Sequence, residues 1–466
     1  MTTEVSVVGG GPAGYAAAIG LAHGGARVRL VEEAQPGGTC MHRGCIPTKA
    51  LLESARLARE LAAAGEFGIR CTPGADAVDW EAVRRRQDRV VAGLAAGLGQ
   101  LLKGCGVAVV RGRGALLPPA PGAVPAVRVA GPDAGELRGD AVVLAVGSAP
   151  AAPPIPGRDL PGVLDSDGLL AAPQRPQRLV IIGGGAVGCE FATAHAAFGA
   201  QVTILEALPQ LLPAADPDIA RRLEAAFRRR GITVATGARV LAIEPGLVVR
   251  AEAAGESVAL PADAVLIATG RRPRTAGLGL EEAGLRLSAA GAIEVDARYR
   301  CVGAAGVFAA GDAIGGPMLA HAAFAQARAI VAGILGRPLP APAPIPAPVY
   351  CHPEVAWVGL PEGPPAAGRR SAKIPYGALG RAHTAGETDG LCKLVAGADG
   401  RVVGVHLIGA HATELIGAGC LAVARGLSVE ELAATPFPHP TLAEGLVESA
   451  DLLLGHPLHV LLPQRR

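Results

Sequence analysis

Cys40 and Cys45 are separated by four residues in the run GGTCMHRGCIPTKALL, a spacing suited to reversible thiol–disulfide chemistry. Five residues of regular helix advance about 7.5 Å along the axis, whereas a disulfide needs Cα atoms within roughly 4.4–6.8 Å. A bond between the two therefore needs a loop or a distorted helical turn. Gly44 and Pro47 fit such an irregular helix start. The dipole of the helix is expected to lower the thiol pKa and favour thiolate. Two other readings of the pair stay open, a zinc site and two structural thiols. Zinc needs two further ligands, and no partner motif of the CxxC or HxxxH type is present. Lys49, one helical turn after Cys45, is a candidate to hold an acidic partner or a cofactor edge.

A reactive pair must be positioned, and the flanking sequence supplies a scaffold. Residues 4–9 read as a buried strand, followed by Gly9-Gly10-Gly11-Pro12-Ala13-Gly14, a helical run Tyr15–His23 and a second strand ending at Glu32. In this βαβ unit Gly9 permits a tight turn, Gly11 lets the backbone approach a pyrophosphate, and Gly14 allows close helix–strand packing. The helix N-terminus offers free N–H groups to the phosphates, and Glu32 is placed to accept hydrogen bonds from a ribose. The device recurs with Gly183, Gly185 and Gly188 between strands 178–182 and 200–205, the second ending at Glu206. Two such units imply two dinucleotide cofactors and electron transfer between them. Glu206 should bond the 2′-OH of NAD and repel the 2′-phosphate of NADP. Arg271 and Arg272, after a later strand, could complicate this preference.

Composition sets the class. The chain has 466 residues, 50% of them hydrophobic and 18% charged, enough for a large core in a globular protein. Charges interrupt every apolar stretch before it reaches membrane-spanning length, and the N-terminus has no leader pattern. A net charge of +2 suggests no nucleic-acid surface, and the clusters Arg84–Arg86 and Arg228–Arg230 read as solvated helix faces. Nine cysteines, mostly scattered, suit a reducing cytosol, so a cytoplasmic protein is expected. Cys71, Cys105, Cys189, Cys301, Cys351, Cys392 and Cys420 are by default small buried side chains.

The string GGTCMHRGCIPTKALL after a GGGPAG unit closely resembles the pyridine nucleotide–disulfide oxidoreductase family. The resemblance extends through LAVGSAP (144–150), VLIATGRRPR (265–274), VFAAGDAIGGPMLAH (307–321), GVHLIGAHATELIGAG (404–419) and TPFPHPTLAEGL (435–446). It implies an α/β fold with two Rossmann-like domains, one for FAD and one for NAD, and a C-terminal α+β dimerisation domain. It also implies roles. Cys40 would be the interchange thiol and Cys45 the thiol at the flavin. Lys49 and Glu190 would pair near the flavin and nicotinamide. Asp312 would bind the ribityl or pyrophosphate region, and Gly147 and Gly270 would mark where the chain leaves and re-enters the FAD domain. His439 would be the general base, oriented by Glu444 and supplied by the other subunit of a homodimer. Thiol exchange needs such a group, because the thiolate is the attacking species and histidine titrates near neutrality. The helix carrying Glu444 is expected to start at Pro440.

The implied substrate is a small dithiol or disulfide, with dihydrolipoyl groups on a lipoyl-carrying protein first and another low-molecular-weight disulfide as the alternative. No metal is expected. Several positions depart from the family pattern: Phe437 and Pro438 before His439, Ala322, Ala325 and Gln326 after MLAH, Trp357, and a short Pro/Gly/Arg-rich segment 361–372. Phe437 and Pro438 are expected to alter the wall beside the base, and the departures together bear on the substrate and on docking to a multienzyme complex more than on the redox core. The tail LLPQRR has no cysteine pair of the kind carried by mercuric or large thioredoxin reductases. The domain reading is 1–147 for the first FAD part, 148–270 for NAD, 271–348 for the return and a Pro-rich linker, and 349–466 for the interface. Helices are expected at 51–64 and 81–103, a β excursion at 115–140, and a polyproline-type linker at Pro338–Pro348.

Overall fold

The structure, a computed structural model, describes residues 2–70, 78–120, 122–151, 153–364 and 368–462. Cys71, the three residues 365–367 within the 361–372 segment, and the tail residues 463–466 lie outside the described residues. The chain forms two compact units. Residues 1–51, 80–152 and 270–342 make the first, and residues 52–79, 153–269 and 343–466 make the second.

The first unit is built on a five-stranded parallel sheet with the order Val307–Ala309, Ala141–Leu144, Glu4–Val8, Arg27–Glu32, Ala108–Arg111. Its central strands Glu4–Val8 and Ala141–Leu144 are mostly apolar runs buried on both faces, as a parallel sheet covered by helices requires. The helix Pro12–His23 follows the first strand and packs against the helix Ala320–Ile334. Small residues allow the approach, since a Cβ on Gly20 would sit 3.0 Å from Val331. Residues 113–138 form the expected excursion, a three-stranded antiparallel sheet. The strand Ser148–Pro150 pairs antiparallel with Arg271–Pro273, so the two crossing segments close on each other inside this unit.

The second unit holds another parallel sheet, with the order Thr233–Thr236, Gln201–Glu206, Arg178–Ile182, Ala264–Ile267, Val163–Leu164. Its C-terminal part is a five-stranded antiparallel sheet with the order Ala347–Val349, Val355–Gly359, Val402–Ile408, Leu391–Ala396, Arg370–Pro375. The helices Ala412–Arg425, Val429–Ala433 and Glu444–Leu454 pack with this sheet. Lys393, on a strand of the antiparallel sheet, is 2% exposed and its ammonium meets Asp216, Asp218 and Glu362 at 2.7–2.9 Å. Asp216 also caps the helix Pro217–Arg229, so one buried cation ties that helix start to the C-terminal sheet.

No helix among the described residues is long and apolar enough to cross a membrane. Of the singly placed cysteines, Cys189, Cys301, Cys351 and Cys392 are buried, whereas Cys105 and Cys420 are half-buried.

Two histidines of the second unit are held neutral. Burial pushes His195 down to about 4, with Arg175 adding to the effect. Burial, then Arg59 and Arg230, pushes His352 down to about 3, and Arg230 donates to its Nε2 at 3.2 Å. A depressed folded-state pKa favours the neutral ring, so this stability is complete above pH ~6.5 and is lost as pH falls towards 3. The melting temperature is therefore expected to fall between pH 7.5 and 4.5, and His352→Gln should flatten that fall. An unchanged slope in the variant would contradict the assignment.

Candidate active site

The glycines of both βαβ units divide into the same roles. Gly9 has φ +96°, and any side chain there would collide with the Ala145 carbonyl. A side chain on Gly14 would strike the Gly9 carbonyl, which is how closely the helix packs on the strand. Gly11 differs: the nearest atom to an added Cβ is 3.9 Å away. The protein itself does not need a glycine at this position, so the open space at the helix N-terminus is a cradle for a ligand. Gly183, Gly188 and Gly185 repeat the pattern, with nothing within 4 Å of a Cβ on Gly185. The residues present thus fit two pyrophosphates, each at a helix N-terminus with free N–H groups.

The acids also match. Glu32 accepts from Gly10 N at 2.6 Å and Ala34 N at 2.9 Å, while Glu206 accepts from Gly184 N at 2.5 Å and Leu208 N at 2.7 Å. Both carboxylates are buried and hold the glycine turn in place before any ribose arrives. Gly147 and Gly270, both with positive φ, sit where the two crossing segments join, accepting from Arg274 N and Ala151 N.

Asp312 accepts from Ser148 Oγ at 2.5 Å, and Arg271 Nε donates to the same hydroxyl at 2.7 Å. Arg271 is thereby engaged within the first unit. Gln326 accepts from Gly311 N at 2.7 Å and fixes the backbone just before Asp312. Neither Ser148 nor Gln326 was legible as a site residue, because each acts through a contact more than ten residues away.

The cysteines lie across a break between two helices. Cys40 belongs to the short helix Gly38–His42, and Cys45 opens the helix Cys45–Ala63. Gly44 lies in the break, where a Cβ would stand 3.0 Å from the Thr39 carbonyl. The expected distorted turn is therefore two helices rather than one irregular start. Both residues stand as thiols, and their sulfurs are hydrogen-bonded. The dipole argument does not carry over to Cys40. The hydrogen bond with Cys45 and burial hold the Cys40 thiol far above its ordinary range, and the nearby Lys49 cation opposes this only in part. Tyr15, not foreseen as a site residue, is raised by burial and then by the two sulfurs, which places its phenol near the pair.

His439 Nδ1 lies 2.8 Å from Glu444 Oε1, and Glu444 Oε2 accepts from Thr441 N at 2.7 Å. Burial raises the Glu444 carboxyl, but the Thr441 amide and the His439 ring outweigh it and keep the group below its ordinary value. Glu444 is thus a carboxylate at neutral pH, with one oxygen on the ring and the other held by the Thr441 amide. The helix begins at Glu444, not at Pro440, because Thr441 donates to Pro438 and to Glu444 and holds residues 438–441 as a turn. The sequence order in both halves, the paired thiols and the carboxylate-bound histidine are those of one group of enzymes.

Residues 3–327 match the pyridine nucleotide-disulphide oxidoreductase family, and residues 345–450 match its dimerisation domain. The chain belongs to the pyridine nucleotide-disulphide oxidoreductase family. It is 38% identical to a dihydrolipoyl dehydrogenase of Thermus scotoductus, with 99% of each chain covered. It is 37% identical to one of Bacillus subtilis, covering 98% of this chain and 100% of the relative. Among solved structures, LpdA from Mycobacterium tuberculosis superposes with a TM-score of 0.89 at 29% identity, covering 97% of this chain and 100% of the other. The HOCl-induced flavoprotein disulfide reductase RclA from Escherichia coli superposes with a TM-score of 0.84 at 30% identity, again covering 97% and 100%.

As a pyridine nucleotide-disulphide oxidoreductase, the protein is an FAD-dependent disulfide oxidoreductase that works with NAD(H). The dimerisation domain supports a homodimer. The remaining site residue of this family pattern, Glu190, is 5% exposed and accepts from Tyr350 N at 3.0 Å. Phe437 packs against the core of the C-terminal sheet, and Trp357 stands in the sheet opposite Ala347 and His406. Both pack within the domain, while Pro438, His439 and Pro440 are exposed beside the turn.

Proposed function

We propose that this enzyme oxidises dihydrolipoyl groups with NAD+ as a homodimer, through Cys40 and Cys45. The observation that carries this reading is the hydrogen-bonded thiol pair across the helix break, in the same unit as the first dinucleotide cradle. The names of the relatives point to the dihydrolipoyl dithiol as the substrate. In the oxidised enzyme the two sulfurs form a disulfide. A substrate thiol gives its proton to His439 of the partner subunit and attacks Cys40 as thiolate, forming a mixed disulfide while the Cys40–Cys45 bond breaks and Cys45 leaves as thiolate. The second substrate thiol then displaces Cys40, leaving the substrate disulfide and the reduced pair. FAD, when bound, supplies the two-electron exchange between Cys45 and the nicotinamide. Lys49 and Glu190 orient the reacting ends, Gly147, Gly270 and Asp312 border the flavin, and Glu206 reads the 2′-hydroxyl of the adenosine ribose of NAD.

Two measurements test this reading. Steady-state rates are compared for dihydrolipoamide and a panel of other thiols and disulfides, each with NAD(H) and NADP(H). Dihydrolipoamide with NAD+ is expected to exceed every other pair, and turnover no better than the rest of the panel would end the substrate assignment. Glu206→Ala is expected to raise KM for NAD+ roughly tenfold while leaving NADP+ unchanged or improved, the change expected from losing one charged hydrogen bond. An unaltered NAD+/NADP+ ratio would remove Glu206 from this role.

A further inference from the structure

The helix Glu444–Leu454 carries three acids, Glu444, Glu448 and Asp451, spaced four and three residues apart. That spacing puts all three on one face. Each meets a histidine. Glu444 holds His439, Glu448 holds His459 through Nδ1 at 3.3 Å and the backbone N–H at 2.5 Å, and Asp451 holds His456 at 3.4 Å. The last two histidines belong to the segment after the helix, which they fasten back onto it. Glu448 is 5% exposed, so its charge is not dispersed by water. A buried carboxylate one turn from Glu444 is felt by the base pair unless something offsets it.

We propose that Glu448 and His459 form a second histidine–carboxylate pair that sets the charge felt by the His439–Glu444 base. This rests on the reading of His439 as the base. Glu448 and His459 are positioning residues: neither needs to touch substrate. The surroundings leave them as the governing groups. The helix packs against the helix Val429–Ala433 and the strands Arg370–Pro375 and Leu391–Ala396. On the first, Glu431 is tied to Ser428, and Glu430 is exposed. On the second, Lys373 turns to Asp218, and Arg370 is exposed. On the third, Cys392 faces the helix at Ser449 and is neutral, pushed up to about 12 by burial, while Lys393 turns to Asp216, Asp218 and Glu362. His459 also acts on Glu444 through charge: burial raises that carboxyl, and Thr441, His439 and then, least, His459 bring it down.

The test is the pH dependence of kcat/KM for dihydrolipoamide with saturating NAD+, using the FAD-loaded full chain at low salt. Glu448→Gln removes a negative charge that favours protonated His439, so its acid limb moves to lower pH. His459→Ala leaves the Glu448 charge less offset, so its limb moves to higher pH. Each shift is roughly half a pH unit, the size of one charge acting over several ångströms in a mostly aqueous medium. The double variant returns close to wild type, because both members of the pair are gone. A purely structural role predicts losses in one direction that accumulate in the double variant. Superimposed profiles, or single variants that shift the same way, overturn the proposal. If His459→Ala does not fold, Glu448→Gln alone decides by whether its limb moves down. His439→Gln is measured in parallel. Its loss of turnover beside unmoved profiles overturns this inference alone, while its retention of turnover overturns the base reading as well.

Discussion

Cys45→Ser is expected to reduce turnover of dihydrolipoamide by roughly 10³-fold or more, because serine cannot form or accept the disulfide on which exchange depends. The variant should fold and bind FAD as wild type does. The glycine cradle around Gly9, Gly11 and Gly14 does not use the sulfur, and serine fits the first position of the helix Cys45–Ala63. Cys40→Ser is expected to lose as much, since the reaction uses both sulfurs. The two losses are measured as kcat with dihydrolipoamide, beside the flavin absorbance of each purified variant. Substantial turnover in either would show that the dithiol does not lie on the main route.

The second large effect belongs to His439. His439→Gln is expected to lower kcat/KM for dihydrolipoamide by about 10²–10⁴-fold, the usual contribution of a positioned general base. NADH oxidation by ferricyanide, which needs no proton transfer from a substrate thiol, should persist. That split separates a missing base from a damaged protein. Glu444→Gln is expected to lose less than His439→Gln. The amide can still accept from Thr441 N or from the ring, but it cannot stabilise the imidazolium as the carboxylate does. Equal loss of both activities in His439→Gln would contradict the role given to this residue.

What could be read from sequence was what sterics and local spacing determine. Gly9, Gly14, Gly183 and Gly188 are readable because a side chain at each would collide with a backbone carbonyl, so the two dinucleotide units announce themselves. Cys40 and Cys45 were readable as a pair, and their spacing already required an irregular turn. What was not readable depends on partners distant in sequence. The Ser148–Arg271–Asp312 hydrogen bonds span 123 and 164 residues. The Gln326 contact to Gly311 falls within a stretch that looked merely unusual. The buried Lys393 is fixed by acids up to 177 residues away. Phe437 stands beside His439 in sequence, and its packing against the domain core, with residues distant in the chain, was likewise not readable. The start of the last helix moved to Glu444 because side-chain bonds of Thr441 competed successfully with helical geometry.

The most direct test asks whether the Cys40 and Cys45 sulfurs change state when NADH is added. The FAD-loaded protein is alkylated under denaturing conditions before and after anaerobic NADH treatment, and the peptide carrying both residues is weighed. Two alkyl groups should be absent before treatment and present after it. An unchanged peptide, with both thiols already free or both still blocked after NADH, would contradict the account.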